Sequence, residues 1–252
     1  MSQKVLVTAG ANGIGREITR AFVAAGARVA VCDVDSASLS ALAIELPGLA
    51  TFLCDVGRRA DVERMVPAAV DALGGLDVLV NNAGIGGPTA SVERYPAEDW
   101  DRVMQVNLTG TFDVTRLAIP HLKLSPAASI VIMSSAAGRF GYPNRSAYSA
   151  SKWALVGFAK TLSIELGEFG IRANAILPGA VDGERLQRVY AGRAEAGGQS
   201  LDTVLAAAMA GQSLKRFVDP RDIAQLAVFL ASDAGKSISG QMLCVDNDMQ
   251  QA

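Results

Sequence analysis

Histidine is nearly missing from this chain: His121 is the only one in 252 residues. That removes histidine-based triads and histidine-rich metal sites from the chemistry open to it, and His121 itself reads as a helix-end residue. Cysteine is scarce too. Cys32, Cys54 and Cys244 lie far apart, in or at the end of strand-like runs, and none has a histidine beside it. An odd count with no N-terminal signal pattern suits buried, reduced thiols in a cytoplasmic protein rather than a disulfide framework or a catalytic cysteine. No apolar run reaches the roughly 18 residues a membrane span needs. There is no basic block either; the formal net charge is −2, which argues against nucleic acid as the main partner.

What is present is a globular composition, 50% hydrophobic and 19% charged, with enough length to bury a sizeable core. Short apolar runs alternate with longer helical patterns throughout. The strand candidates are Lys4–Thr8, Arg28–Asp33, Leu49–Asp55, Val78–Val80, Ser129–Met133, Ile171–Leu177 and Gln241–Val245. They are apolar without strict alternation, as strands covered on both faces are. Between them, helical spacing runs over Gly13–Ala25, Ser36–Leu46, Arg58–Leu73, Pro96–Val106, Leu108–Leu122, Ala147–Gly167 and Asp219–Ala231. Ser36 and Asp219 are candidate caps, the latter followed by Pro220. Such alternation means βαβ units and a parallel sheet, and no linker or repeat divides the chain. The expected fold is a single doubly wound α/β domain of about seven strands, with helices on both faces. One segment, 183–217, breaks the rhythm with two helical patches, Glu184–Ala196 and Leu201–Ala210. It follows the sixth strand, so it is expected to cover the carboxyl ends of the sheet as a substrate lid.

Directly after the first strand comes Thr8-Ala9-Gly10-Ala11-Asn12-Gly13-Ile14-Gly15, opening a helix. Glycines there let backbone approach a pyrophosphate, and the helix N-terminus supplies N–H groups and partial positive charge. The next strand ends in Asp33, whose carboxylate suits ribose hydroxyls and repels a 2′-phosphate. NAD is therefore expected over NADP, although Arg16 and Arg28 are near in sequence. Further on, Tyr148 and Lys152 are four apart, so on a helix they share a face. An ammonium beside a phenol favours the phenolate, as proton exchange with an alcohol oxygen requires. Ser135 lies where the fifth strand ends and could present its hydroxyl to the same place.

These pieces resemble the short-chain dehydrogenase/reductase family over essentially the whole chain. Thr8–Gly15 is similar to its TGxxxGIG loop, and Asn81-Asn82-Ala83-Gly84 to its NNAG. Asn107 matches its helix asparagine, and Ser135, Tyr148 and Lys152 its serine and YxxxK. Asp55-Val56 fits its adenine-contacting pair, and Asn174 with Pro178-Gly179 and the following Val181 fits the region after the sixth strand. The resemblance implies a Rossmann-type domain that moves a hydride between NAD(H) and a secondary alcohol or ketone. Tyr148 would be the general acid/base, Ser135 would hold the reacting oxygen, and Lys152 would grip the nicotinamide ribose. Asn107 would position a water relay. Cofactor contacts would come from Thr8, Gly10, Asn12, Gly13, Ile14, Gly15, Asp33, Asp55, Val56, Asn82, Ala83, Gly84, Tyr148, Lys152, Pro178, Gly179 and Val181, with no metal. A closed homo-oligomer, dimer or tetramer, built on Leu108–Leu122 and Ala147–Gly167 is implied as well. The alternatives are an NADPH-dependent carbonyl or 3-oxoacyl carrier-protein reductase and, from another class, a non-catalytic nucleotide-binding scaffold. A complete Ser-Tyr-Lys-Asn set argues against the scaffold.

Three positions depart from the family pattern. Ala9 stands for the loop's first glycine, with Gly10 expected to supply flexibility. Gly183 stands where a threonine often follows Pro-Gly to contact the nicotinamide carboxamide, and Val245-Asp246-Asn247-Asp248 replaces a glycine-rich C-terminal ending. Around the expected substrate side lie Arg139, Phe140, Tyr142 and Arg145, and the lid adds Arg185, Arg188 and Arg193 against Glu184 and Glu195. These charges read as solvated or salt-bridged helix faces. Leu186 and Val189 could line an apolar pocket, and a polyol, hydroxy acid, steroid-like alcohol or hydroxyacyl thioester all stay open.

Overall fold

The computed structural model describes residues 2–250, with the Arg185 side chain outside the described residues. Seven strands form one sheet: β1 Lys4–Thr8, β2 Arg28–Asp33, β3 Ala50–Leu53, β4 Val78–Asn81, β5 Ser129–Met133, β6 Arg172–Pro178 and β7 Met242–Val245. Their order is β3-β2-β1-β4-β5-β6-β7 and every pairing is parallel. The chain winds outward from β1 to β3, returns to β4 beside β1, then winds the other way. The carboxyl ends of β1 and β4 thus form the switch point at which such sheets bind ligands.

Side-chain alternation sorts the strands into two cores. Val5, Val7, Val29, Val31, Val131 and Met133 face one side. There α1 (Gly13–Ala24), α2 (Ser36–Glu45) and a late helix, Pro220–Ala231, cover them with Ile18, Phe22, Leu42, Ile223 and Leu230. Leu6, Ala30, Cys32, Ile130 and Ile132 face the other side. They meet α3 (Arg59–Leu73), the helix Gly110–Leu122 and the helix Ser146–Glu165 through Val66, Val70, Val114 and Leu155.

Local differences from the sequence reading have plain causes. The N-cap of α2 is Asp35 rather than Ser36, its Oδ1 accepting from Ala37 N and Ser38 N at 3.0 and 3.1 Å. A carboxylate also suits the positive end of the helix dipole. Two separately expected helices run as one rod: α4 (Ala97–Met104) continues through a π-helical turn, Gln105–Thr109, into α5 (Gly110–Leu122). The helix Ser146–Glu165 is α6, and α7 (Glu184–Gly197), α8 (Leu201–Ala210) and α9 (Pro220–Ala231) follow. Asp219 caps α9 through Arg221 N at 2.8 Å.

Cys32 and Cys54 are buried free thiols as expected, whereas Cys244 departs from that expectation. Cys32 and Cys54 are brought together by neighbouring strands and share a thiol hydrogen bond, which with burial pushes the Cys32 thiol well up. Cys244 sits exposed on the edge strand β7.

The glycine-poor start of the first loop has a structural signature. Ala9 adopts φ +49°, a left-handed conformation that carries a cost for any residue with a Cβ. Gly10 is not the flexible element; a Cβ there would lie 2.8 Å from Val31 Cγ1, so it is required for space. Replacing Ala9 with glycine is therefore expected to stabilise the fold. The left-handed penalty of roughly 1–2 kcal/mol outweighs glycine's extra chain entropy of roughly 0.5–1 kcal/mol. Thermal unfolding should show a midpoint raised by about 2 °C; a lowered midpoint would refute the strain.

Candidate active site

The site starts at the switch point. Thr8, the last residue of β1, accepts through Oγ1 from the N–H groups of Asn82 and Ala83, both at 3.0 Å. Asn82 Nδ2 returns hydrogen bonds to the carbonyls of Thr8 (3.1 Å) and Ala9 (2.9 Å). A Cβ on Gly15 would lie 2.0 Å from the Ala9 carbonyl oxygen and 2.6 Å from Asn82 Nδ2, so only glycine lets α1 begin so close to this clasp. Asn12, at the N-cap, gives α1 no side-chain cap. The first-turn N–H groups over Gly13, Ile14 and Gly15 are therefore disposed to take an anion. Ile14 itself packs partly buried on the first core.

At the end of β2, Asp33 is buried, with Oδ2 accepting from Ala11 N (3.1 Å) and Oδ1 from Val34 N (2.8 Å) and Asp35 N (3.2 Å). The cations that could neutralise it are committed elsewhere. Arg16 pairs with Glu45, and Arg28, at the opposite end of β2, donates to the Ala72 carbonyl. Asp55 lies just past β3, accepting from Gly57 N and pairing with Arg102 at 2.8 Å. The neighbouring Val56 is buried, its carbonyl against Gly110.

Asn107 sits in the π turn, wholly buried. Its Oδ1 accepts from Ile85 N (2.8 Å) and its Nδ2 donates to the Ile85 carbonyl and to Ser151 Oγ, both at 3.0 Å. The extra residue of a π turn re-aims a side chain, and here it joins the loop after β4 to α6. Lys152, on α6, is also buried, and its Nζ donates to the Met133 carbonyl at 2.8 Å. A Cβ on Gly84 would lie 3.3 Å from both Asn107 Oδ1 and Lys152 Nζ, so these three residues meet. The Tyr148 ring centroid is 5.7 Å from Lys152 Nζ and 5.5 Å from Arg145 Cζ. Ser135 follows β5, its Oγ accepting from Ala137 N at 3.2 Å. Its segment is tied to α6 by Ser134 Oγ donating to the Lys152 carbonyl and Ser149 Oγ donating to the Ala137 carbonyl.

The glycine loop and the Ser135, Tyr148, Lys152 and Asn107 group thus lie along one sheet edge. A family model described as enoyl-(acyl carrier protein) reductase matches residues 8–249. The L-fucose dehydrogenase of Bos taurus is 37% identical over 230 residues, 91% of this chain and 83% of that one. The chain belongs to the short-chain dehydrogenase/reductase family. Two solved relatives superpose closely over nearly all of both chains. An NAD+-bound xylitol dehydrogenase has TM-score 0.93 at 28% identity, covering 96% of this chain and 97% of its own. A variant of actinorhodin polyketide ketoreductase with NADPH has TM-score 0.94 at 31% identity, covering 100% and 98%. This short-chain dehydrogenase/reductase is thus an oxidoreductase acting on alcohols or ketones with a nicotinamide cofactor. Among the described residues no helix is long and apolar enough to cross a membrane, and no group of three His, Cys, Asp or Glu side chains could hold a metal.

Beside Ser135 a cavity of about 250 Å³ opens, lined by Tyr142, Gly179, Tyr190, Arg193, Gln199 and Met249 among others. Tyr142 packs edge-on against Tyr148, with centroids 6.2 Å apart, so the cavity lies next to that ring. Pro178 ends β6, and a Cβ on Gly179 would lie 2.7 Å from Asp246. Val181 pairs with Val218. Gly183 takes φ +137°, ψ 176°, a region that only glycine adopts readily, which accounts for the missing threonine. The atypical C-terminus has a local role. Asp246 pairs with Arg139 at 2.8 Å, Asp248 accepts from Ser213 Oγ, and Gln250 N donates to the Gly211 carbonyl. The tail thereby fastens the segment after α8 to the body. Sequence reasoning passed over Ser151, Tyr190, Gln199 and Met249, which carry no motif and converge only in the fold.

Asn107→Ala would strip both backbone hydrogen bonds from Ile85 and one from Ser151. Losing three buried hydrogen bonds is expected to cost about 2–4 kcal/mol, read as a fall of roughly 5–15 °C in the unfolding midpoint. An unchanged midpoint would deny the clamp.

Proposed function

We propose that this protein oxidises a secondary alcohol with NAD+, Tyr148 serving as the general base and, in reverse, the general acid. The observation that carries the reading is the gathering of Asn107, Gly84 and Lys152 beside the Tyr148 ring at the switch-point edge. When bound, the nicotinamide ring supplies the hydride acceptor or donor. Tyr148 accepts the hydroxyl proton as the carbonyl forms. The Ser135 hydroxyl donates to the same oxygen and steadies its developing charge. Lys152 has three donors, one of which goes to the Met133 carbonyl. Its charge favours the phenolate, and an ammonium at this position suits the ribose hydroxyls. Asn107 keeps the loop after β4 and α6 in register, and a water held beside it carries the proton on to solvent.

The first-turn N–H groups of α1, over Asn12, Gly13, Ile14 and Gly15, hold the pyrophosphate. Thr8 and Gly10 set the loop, and Asn82, Ala83 and Gly84 back the nicotinamide half. Asp55 and Val56 border the adenine, while Pro178, Gly179 and Val181 border the nicotinamide amide. NAD rather than NADP is supported by Asp33, a buried carboxylate, with Arg16 committed to Glu45 and Arg28 at the opposite end of β2. Residues 183–217 act as the substrate lid. The free thiols suit a reducing cytoplasm.

The outer faces of α5 and α6 expose Phe112 and Trp153, 43% and 50% accessible. Aromatic residues left so open on adjacent helices suit burial against a second copy, in a closed homodimer or tetramer.

Tyr148→Phe should lower kcat by roughly 10²–10⁴-fold while leaving the NADH dissociation constant unchanged; retained turnover sinks the mechanism. NADH should bind more tightly than NADPH, and the opposite order would favour the reductase reading. Light scattering should give a mass at or above twice 26.2 kDa. Trp153→Glu should shift it downward, whereas a monomeric wild type would contradict the interface.

A further inference from the structure

Five arginines stand near the substrate side in the sequence; the Arg185 side chain lies outside the described residues, and the fold gives the other four different fates. Arg139 is bound to Asp246 and to the Met249 carbonyl. Arg145 is buried at the start of α6, against Tyr142, Tyr148 and Thr89. Arg188 is exposed on α7, as are Glu184 and Glu195. Arg193, half-buried on α7, is the one that lines the cavity among the described residues.

Its guanidinium carbon lies 4.6 Å from the Tyr142 ring centroid and 5.2 Å from that of Tyr190. Two aromatic faces thus fix a half-buried cation in place, while its N–H edges stay able to donate in a fork. Tyr190 belongs to a small apolar core with Leu186, Ala194 and Val204, which anchors that side of the clamp in the lid. Tyr142 anchors the other side and touches the Tyr148 ring. Among the described residues that line the cavity, Arg193 is the only charged one. The remaining walls are mainly alanine, valine and methionine, and no ion pair among the described residues involves Arg193. A fixed cation in a largely apolar pocket is best compensated by an anion brought in by the ligand.

We propose that Arg193 is the specificity-determining residue of this site, and that it binds the carboxylate of a short-chain hydroxy acid whose hydroxyl is presented to Ser135 and Tyr148. The inference rests on the alcohol-oxidising reading above and names its substrate class. The cavity, about 250 Å³, is below the roughly 300–1,000 Å³ typical of sites for larger ligands. That favours an acid of a few carbons over a steroid-like alcohol or a long acyl chain. A carboxylate held at Arg193 fixes one end of the molecule and orients the carbinol, so the effect should appear mainly in KM and in selectivity.

The test pairs short 2-, 3- and 4-hydroxy acids with their methyl esters, measured with NAD+ on wild type, Arg193→Met and Arg193→Lys. In parallel, butanoate is titrated calorimetrically into the NADH complex of each. Wild type should prefer at least one acid over its ester by roughly ten- to a hundredfold in kcat/KM, the worth of a charged hydrogen bond. Arg193→Met should abolish that preference through KM, lowering kcat/KM for the acids roughly ten- to a hundredfold more than for the esters, and weaken butanoate binding by a similar roughly ten- to a hundredfold. Arg193→Lys should recover part of both.

Equal use of acids and esters by wild type would overturn the assignment. So would an equal loss of both in Arg193→Met, because a merely structural arginine would act that way. Turnover of esters or other neutral alcohols with no acid preference sinks this inference and spares the parent reading. Arg193-dependent butanoate binding without turnover of any alcohol or ketone sinks the parent reading and spares the anion site.

Discussion

Everything at the carboxyl edge of this sheet depends on how β1 is held to β4 beyond their last ladder pair, Val7 opposite Val80. Two strands that part at a switch point leave backbone groups with no sheet partner, and buried orphans of that kind are costly. Thr8 and Asn82 supply four hydrogen bonds across the gap. They also fix the direction in which the loop from Ala9 leaves the sheet. The left-handed Ala9 and the tight approach of Gly15 follow from that exit. Change the clasp, and the N-terminus of α1 no longer points at the place where an anion would sit.

The second constraint is the burial of Lys152. Removing an ammonium from water is expensive unless its donors are met, and the Met133 carbonyl at 2.8 Å meets one of them. That bond forces α6 to run close over the end of β5. Gly138 allows the approach, since a Cβ there would lie 2.9 Å from the Lys152 carbonyl oxygen. Asn107 closes the arrangement from the far side through Ser151 and Ile85. Asn107 and Lys152 are therefore held by elements whose positions are fixed independently, as a preorganised site needs.

Much of this was legible in the sequence, for a physical reason. β1, β2 and β5 have the bounds expected around their apolar centres, because a strand buried on both faces has to be apolar over most of its length. The glycine loop, Asn82, Asn107 and the Tyr148–Lys152 spacing are local patterns, so the residues that make them can be read without knowing the fold. What escaped depends on distance along the chain. The thiols of Cys32 and Cys54 met because β2 and β3 are neighbours. Cys244 is exposed because β7 ends the sheet, a fact of topology rather than of composition. The joining of α4 to α5 hid because a π turn has no side-chain signature of its own. Arg139, Arg145, Arg188 and Arg193 look alike in one dimension, and only the partners supplied by the C-terminal tail, Thr89 and the two tyrosines tell them apart.

That separation suggests how one framework serves many substrates. The groups proposed to meet the reacting oxygen and the nucleotide hang on strand ends and on α1, α6 and the π turn before α5, all packed into the two large cores. The cavity wall comes largely from α7 and α8, which have a small core of their own and meet the body through Ala136, Ala180 and Met249. Substitutions in α7 and α8 can reshape the pocket without disturbing the Thr8–Asn82 clasp or the Lys152 pocket, because no hydrogen bond described here links those helices to either. Tyr142 is the exception. It touches Tyr148 on one side and Arg193 on the other, so α7 and the Tyr148 ring meet through a single aromatic side chain.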